Sequence, residues 1–311
     1  MLRQEKMVYL LLTGVVALWG LNVVMVKYLS FFPPVLIAAI RMSIAAAVLL
    51  PFVLRKGNRR RLQWPDWLLI GGVSVSSITL HQIFLAWGVQ QASAGITSLI
   101  LGLNPLVTSL LAALFLGEAL TLRKAAGIGI GFTGVLLVVL TQTDGSGVAL
   151  HGLGDFLVFV SMLMYVIGGL FIRKATARGT NVLAVTAYSH ALAALQLWAV
   201  SLCVYPLEMF GSLDTRPFTW FVIFVSGAFA TALGALCWNH GIGLLGASRT
   251  SLFLNGMPLA SLLFAALLLG EPLRLLHLLA LAMIVLGIYL GNQQQRSGPL
   301  SVSGVGKEAN G

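Results

Sequence analysis

GVQQASAGITSLILGLNPLVTSLLAALFLGEAL, residues 88–120, returns as GIGLLGASRTSLFLNGMPLASLLFAALLLGEPL at residues 241–273, displaced by 153 positions with no gap. Of the 33 aligned positions 16 are identical, among them Gly88/Gly241, Ala94/Ala247, Ser98/Ser251, Pro105/Pro258 and Glu118/Glu271. A chain rich in Leu and Ala matches itself by accident, but not at Pro, Gly and Glu in one register. The chain therefore carries an internal duplication.

The setting of that duplication is lipid. Of 311 residues, 58% are hydrophobic and only 9% charged, whereas soluble domains carry about 25% charged residues. A helix crosses a bilayer in about 20 apolar residues. Such runs lie near 7–29, 34–54, 67–90, 94–117 and 122–141, and again near 154–174, 180–204, 218–240, 247–270 and 274–291. Backbone in lipid must satisfy its own hydrogen bonds, which selects helices for runs of this length; the alternation of a barrel strand is missing. The expected fold class is an all-α membrane protein of ten transmembrane helices. The first run follows Arg3 and Lys6, but it is longer than a signal-peptide core and the repeat needs it, so it reads as an uncleaved helix. Cys203 and Cys237 stand alone in apolar runs and suggest small core residues, with no disulfide, metal or cofactor.

The net charge of +10 would suit nucleic acid, but its distribution points elsewhere. With the N-terminus placed in the cytoplasm, 15 Lys and Arg fall on the cytoplasmic side and three (Lys27, Arg216 and Arg274) outside, with Arg41 left within the second run. Positive residues stay inside, so both termini are expected in the cytoplasm. Arg55–Arg61 reads as an anchor near anionic lipid, not a nucleic-acid patch. Five helices per copy is an odd number, so the second copy enters the membrane from the opposite side. The expected organisation is a first repeat over 1–141, an external linker over 142–153, an inverted second repeat over 154–291, and a polar, disordered cytoplasmic tail over 292–311. Inverted repeats of this kind characterise transporters.

These segments resemble the drug/metabolite transporter superfamily, and within it the EamA-like ten-helix families. The resemblance rests on Gly88-Val89-Gln90-Gln91-Ala92-Ser93-Ala94-Gly95, Asn104-Pro105 and Leu116-Gly117-Glu118. Their counterparts are Leu245-Gly246-Ala247-Ser248-Arg249, Asn255, Pro258 and Leu269-Gly270-Glu271-Pro272, with Trp19-Gly20 in the first run. Gln91 stands where the family usually has an aromatic, and Met257 precedes Pro258; these departures withhold any substrate inference. The resemblance implies a secondary transporter, often an exporter of amino acids or related metabolites.

Polar side chains at membrane depth usually face the interior of the bundle. Trp19 and Asn22 share a face of the first helix; Thr97, Leu101, Asn104 and Thr108 share one of the fourth. His81 lies inside the third, Tyr165 midway along the sixth, Thr186 and His190 on one face of the seventh, Trp238 and Asn239 late in the eighth, and Ser251, Asn255 and Pro258 along the ninth. The expected substrate-binding set is Trp19, Asn22, Arg41, His81, Thr97, Asn104, Tyr165, His190, Trp238 and Asn255. Plainer readings stand beside it. Ser and Thr back-bond to their own helix or join neighbours, and Trp anchors at interfaces. His81 and His190 either line a cavity or handle protons. Arg41 either snorkels outward or holds an anionic group. Pro105 and Pro258 either break their helices near the midplane, exposing backbone, or merely kink them. Glu118 and Glu271 close the fourth and ninth helices, either capping the next helix or serving as a gate or proton site. The glycines of the fifth and tenth helices suggest peripheral packing.

No GxSxG, HExxH or paired Asp is present, which argues against an intramembrane enzyme. A channel or scaffold is the remaining rival. The expected partners are a small-molecule substrate and the bilayer, with the protein a monomer or homodimer. A zwitterionic amino acid suits the few polar groups better than a lipid or a multivalent anion. With no carboxylate in mid-span, proton coupling would need a His or an interface Glu, and uncoupled flux is the simpler expectation.

Overall fold

The computed structural model describes residues 3–55, 61–92, 94–142, 152–211, 214, 216–269 and 275–292, and every regular element among them is a helix. Glu271, most of the 142–153 linker and all of the tail beyond Asn292 lie outside the described residues. Seven helices among the described residues are long and apolar enough to cross a membrane, and Asn104–Leu116 and Leu278–Asn292 are shorter apolar helices.

Local chemistry sets the helix ends. The first helix, α1 (Arg3–Tyr28), has Glu5 in its first turn and Lys27 in its last, both favourable to its dipole. α2 (Pro34–Leu54) opens on proline, whose missing N–H is harmless in a first turn. In α3 (Trp64–Val73), Gln63 and Asp66 form a reciprocal capping box. Sequence alone puts Asp66 just before the third helix; the capping box draws it in, fully buried, where Thr180 donates to its Oδ1 at 2.8 Å. Asn181 caps α9 (Val182–Val204) by accepting from the Leu183 N–H at 2.8 Å. A five-residue helix, α10 (Leu207–Gly211), follows α9.

Two runs contain π-helical turns. Ser74–Leu80 joins α3 to α4 (His81–Val89), and Ser226–Leu233 joins α11 (Pro217–Val225) to α12 (Gly234–Leu245). π turns are rare and gather at functional sites. Two other runs are interrupted. Sequence alone reads 94–117 and 247–270 as single helices; instead α5 (Ala94–Gly102) gives way at Leu103 to α6 (Asn104–Leu116), and α13 (Ala247–Ser251) passes through a 3-10 turn (Leu252–Gly256) into α14 (Met257–Leu269). Pro105 and Pro258 each take the second position of the new helix, where proline lacks no bond.

α7 (Leu122–Gln142) packs along α15 (Leu275–Asn292) through glycines. A Cβ on Gly127 would come within 2.6 Å of Gly287 O and Gly291 N, and one on Gly287 within 2.7 Å of Gly131 N. Gly134 meets Ile284 in the same progression, so the two helices run antiparallel. In lipid no hydrophobic effect drives helices together, and such close approach supplies the van der Waals contact instead. α2 and α9 pair through hydrogen bonds instead: Trp198 Nε1 donates to Ser43 Oγ at 2.9 Å and the Val35 N–H reaches Tyr205 Oη at 3.4 Å. α8 (Leu153–Ala177) lies against α4, α3 and α6, and α1 against α14 and α12. Val8, Leu12, Val15 and Val16 of α1 enter a core with Ile70, Leu170, Trp238 and Phe253. Leu68, Phe115, Phe159, Leu195, Phe221 and Leu267 point outward, as a lipid-facing surface requires.

Candidate functional site

The polar groups brought together most closely lie where α1 and α2 meet the second π turn. Ser226 Oγ donates to Asn22 Oδ1 at 2.5 Å, and Trp19 Nε1 donates to the Ala230 carbonyl at 2.8 Å. Arg41 Nη2 donates to Thr231 Oγ1 at 3.0 Å, and that hydroxyl donates to Ser226 O at 3.0 Å. Trp19 tilts against Trp238, with ring centroids 5.1 Å apart. A cation at helix centre costs about 2.5–3.5 kcal/mol on insertion scales, yet Arg41 Nε is buried with no hydrogen-bond partner. Trp19, Asn22, Arg41 and Trp238 thus share one seat, and Ser226, Ala230 and Thr231 complete it. Sequence reasoning missed these last three. The signal available was a doubled run of small and hydroxyl residues, SVSSITL and SGAFATAL, which hydropathy reads as plain helix.

The other expected residues fall into separate clusters. His81 Nδ1 lies 2.8 Å from Ser161 Oγ, which donates to His81 O at 2.9 Å. The Tyr165 ring lies 5.1 Å from the imidazole, and its hydroxyl is buried without a partner. His190 Nδ1 donates to Thr186 O at 2.7 Å, and Asn239 Nδ2 donates to Thr186 Oγ1 at 2.9 Å. Asn104 Oδ1 accepts from Thr108, one turn on in the same helix. Thr97 Oγ1 is buried and unpartnered. Asn255 is 1% exposed and its amide finds no partner; it faces Gly131 of α7. The first π turn is closed by a residue outside the expected set: Gln196 Oε1 accepts from Thr79 at 2.6 Å and from Ser74 at 3.2 Å. Among the described residues no group of three His, Cys, Asp or Glu could hold a metal ion.

The duplicated signatures meet at the end of the molecule that carries the N-terminus. Gly117, with φ +67°, ends α6 in the left-handed region, beyond which Glu118 accepts from the Ala247 N–H at 2.9 Å and the Ser248 N–H at 3.2 Å. Sequence alone expects Glu118 to cap the helix after it. That position is taken by Thr121, which accepts from the Lys124 N–H at 3.2 Å, so Glu118 caps α13 across the bundle. Gly246 is required there twice over: its φ is +91°, and a Cβ would lie 2.7 Å from Glu118 Oε1. Arg173 Nε stands 3.9 Å from the same oxygen. Arg249 donates to Tyr9 Oη at 2.8 Å and to Asn292 O at 2.9 Å, and pairs with Glu5 at 3.9 Å. α1, α6, α8, α13 and α15 are thereby tied at one end.

At the opposite end, Asp214 accepts from Arg216 Nε at 2.8 Å and from Thr219 Oγ1 at 2.6 Å. These bonds, Arg216's first, hold its carboxyl well below the usual carboxylate range.

The EamA-like transporter family model matches residues 6–140 and 152–292. The chain is 30% identical over 291 residues to a Bacillus subtilis (strain 168) protein named "Uncharacterized transporter YyaM", covering 90% of this chain and 92% of that one. It is 29% identical over 282 residues to an Escherichia coli (strain K12) protein named "Probable amino-acid metabolite efflux pump", covering 89% and 91%. A solved crystal structure superposes with a TM-score of 0.78 at 20% identity, over 92% of this chain and 96% of that one, which shows a shared fold. A family match over both copies of the duplication, on an all-helical frame with apolar outer faces, settles the membership: the chain belongs to the EamA-like transporter family.

Proposed function

We propose that the protein is a secondary transporter that exports a small amphipathic metabolite, an amino acid or a close relative, across the cytoplasmic membrane by alternating access. The observation that carries this reading is the seat of Trp19 and Asn22 on the second π turn. It lies at the junction of the two copies of the duplication, where a change in their packing reshapes it. The Escherichia coli relative's name supports both the solute class and the direction. His81 with Tyr165 and His190 with Asn239 would add polar contacts from the facing helices. Asn104, Thr97 and Asn255 belong to the proposed set as well.

The reading includes ten crossings arranged as inverted halves, with repeats over 1–141 and 154–291. Repeated contacts support it. Gly88 of α4 packs on Val158 of α8, and its counterpart Gly241 of α12 packs on Leu12 of α1, so the third run meets the sixth as the eighth meets the first. Gly127 meets Gly291 while Gly131 meets Gly287, a self-complementary contact of the kind a two-fold axis generates. Both termini are cytoplasmic in this reading, supported by 15 cationic residues against three. The ties around Glu118 and Arg249 would then hold the cytoplasmic end shut and break when it opens. Cysteine labelling tests the topology: position 144 should label from outside and position 59 only from inside, and the reverse overturns it.

Counterflow in proteoliposomes with a panel of radiolabelled metabolites tests the function. Saturable exchange of at least one small amphipathic solute is expected. Linear, non-saturating flux would make the protein a channel, and no flux with any solute would make it a scaffold.

A further inference from the structure

We propose that Arg41 receives a carboxylate of the transported solute, so that the protein carries small monocarboxylates such as free amino acids and rejects their carboxamides. This rests on the transporter reading above and names the chemistry of its site.

Arg41 is the eighth residue of α2, about 10 Å along the helix from its first residue at 1.5 Å per residue. Ion pairs among the described residues include Arg173 with Glu118, Arg178 with Asp66, Arg216 with Asp214, and Arg249 with Glu5. None of these four carboxylates faces Arg41. Its polar neighbour is neutral: Nη2 donates to Thr231 Oγ1, which is itself committed to Ser226 O. Thr231 therefore orients the guanidinium without cancelling its charge. The buried Nε–H remains without an acceptor, and a charged N–H donor left open suits a carboxylate oxygen, whose bond to it is charge-assisted. The preceding residue of the same π turn, Ala230, accepts from Trp19, whose ring meets Trp238. Indole faces attract an ammonium group and pack apolar carbon equally well. One turn of backbone thus presents a cationic fork beside an aromatic wall, complementary to a zwitterion with an apolar side chain. A lipid phosphate offers the same anionic oxygens, so the experiment must separate the two.

The test uses the full chain in phosphatidylcholine proteoliposomes, with and without added phosphatidylglycerol. Counterflow of radiolabelled leucine, phenylalanine, threonine and homoserine is compared with that of their carboxamides. Binding is read separately, by tryptophan fluorescence and thermal shift in detergent. Wild type should prefer carboxylates at least about tenfold, because a site built to bond a polar group discriminates strongly against its absence. Arg41→Gln should reduce that preference to within about twofold, and Arg41→Lys should restore part of it. Should Arg41→Gln fail to fold, Thr231→Val keeps the charge and loosens its anchor; it should weaken carboxylate binding about tenfold while the preference survives. Equal transport of amides and acids by wild type, or an undiminished preference in Arg41→Gln, overturns the proposal. So does a thermal stabilisation by phosphatidylglycerol that Arg41→Gln abolishes while its solute preference stays intact, since Arg41 is then a lipid anchor. Saturable counterflow confined to cationic or neutral solutes overturns the carboxylate receptor and leaves the transporter reading standing. Absence of both flux and binding for every solute overturns both.

Discussion

The two π turns occupy matching places in the third and eighth apolar runs, yet their hydroxyls are satisfied differently. In the first, Ser76 and Ser77 bond back to the carbonyls of Gly72 and Val73, while Ser74 and Thr79 share the neutral Gln196 oxygen. In the second, Thr231 holds a cation, Ser226 holds Asn22 of another helix, and the Ala230 carbonyl is reached by an indole. The same backbone device is in one copy a closed joint and in the other a seat with a charge and a donor to spare. The two turns thus differ in what reaches them from the neighbouring helix, Gln196 of α9 at the first and Arg41 of α2 at the second.

The largest effect that would expose this division is expected at Trp19. Trp19→Ala removes the indole donor and its contact with Trp238, and should lower counterflow by about two orders of magnitude, some 2.7 kcal/mol of transition-state stabilisation. The protein should still purify as a monodisperse species; wild-type flux in a folded Trp19→Ala protein would place the seat elsewhere. A paired substitution comes next. Thr231→Val should cost about tenfold in transport, whereas Thr79→Val should leave transport within about twofold, since neutral interhelical bonds of this kind average about 0.6 kcal/mol. Equal losses at the two positions would erase the distinction between the turns. Gln196→Leu should then lower stability by about 1 kcal/mol, read as a drop in melting temperature in detergent, with flux retained. Its removal strands two hydroxyls at once, but both can turn to backbone carbonyls of their own helix. Ser226→Ala should be mildest, at about 0.5–1 kcal/mol, because Asn22 keeps a second polar group with which to find a new partner.

Much of the fold was legible because its causes are local in sequence. Apolar runs, prolines and the repeated Leu-Gly-Glu can each be read without knowing what they touch. The helix interruptions at Leu103 and at Leu252–Gly256 were half legible: Pro105 and Pro258 announced them, but not that each would open a fresh helix. Glu118 reads as a cap and is one, on a helix begun 129 positions later, because the first copy's Leu-Gly-Glu docks on the second copy's Gly-Ala-Ser. The candidate site was legible as residue types at depth and illegible as groupings. Trp19 and Trp238 both stand out in the sequence, yet nothing in their spacing says that they meet, nor that Asn255 turns toward Gly131.

What the sequence determined by itself is membership of lipid, helicity, the duplication and the uneven spread of charge along the chain, since hydropathy, repeat register and cation distribution are sums over neighbours along the chain. What only the tertiary structure decided is which polar side chains share a seat. Asn22 and Ser226 lie 204 positions apart, and Arg41 and Thr231 lie 190 apart. Whether they meet depends on the rotation of each helix about its axis. A π turn inserts an extra residue into that rotation and swings every side chain beyond it by about 100°, a displacement that apolar periodicity read from the sequence does not register.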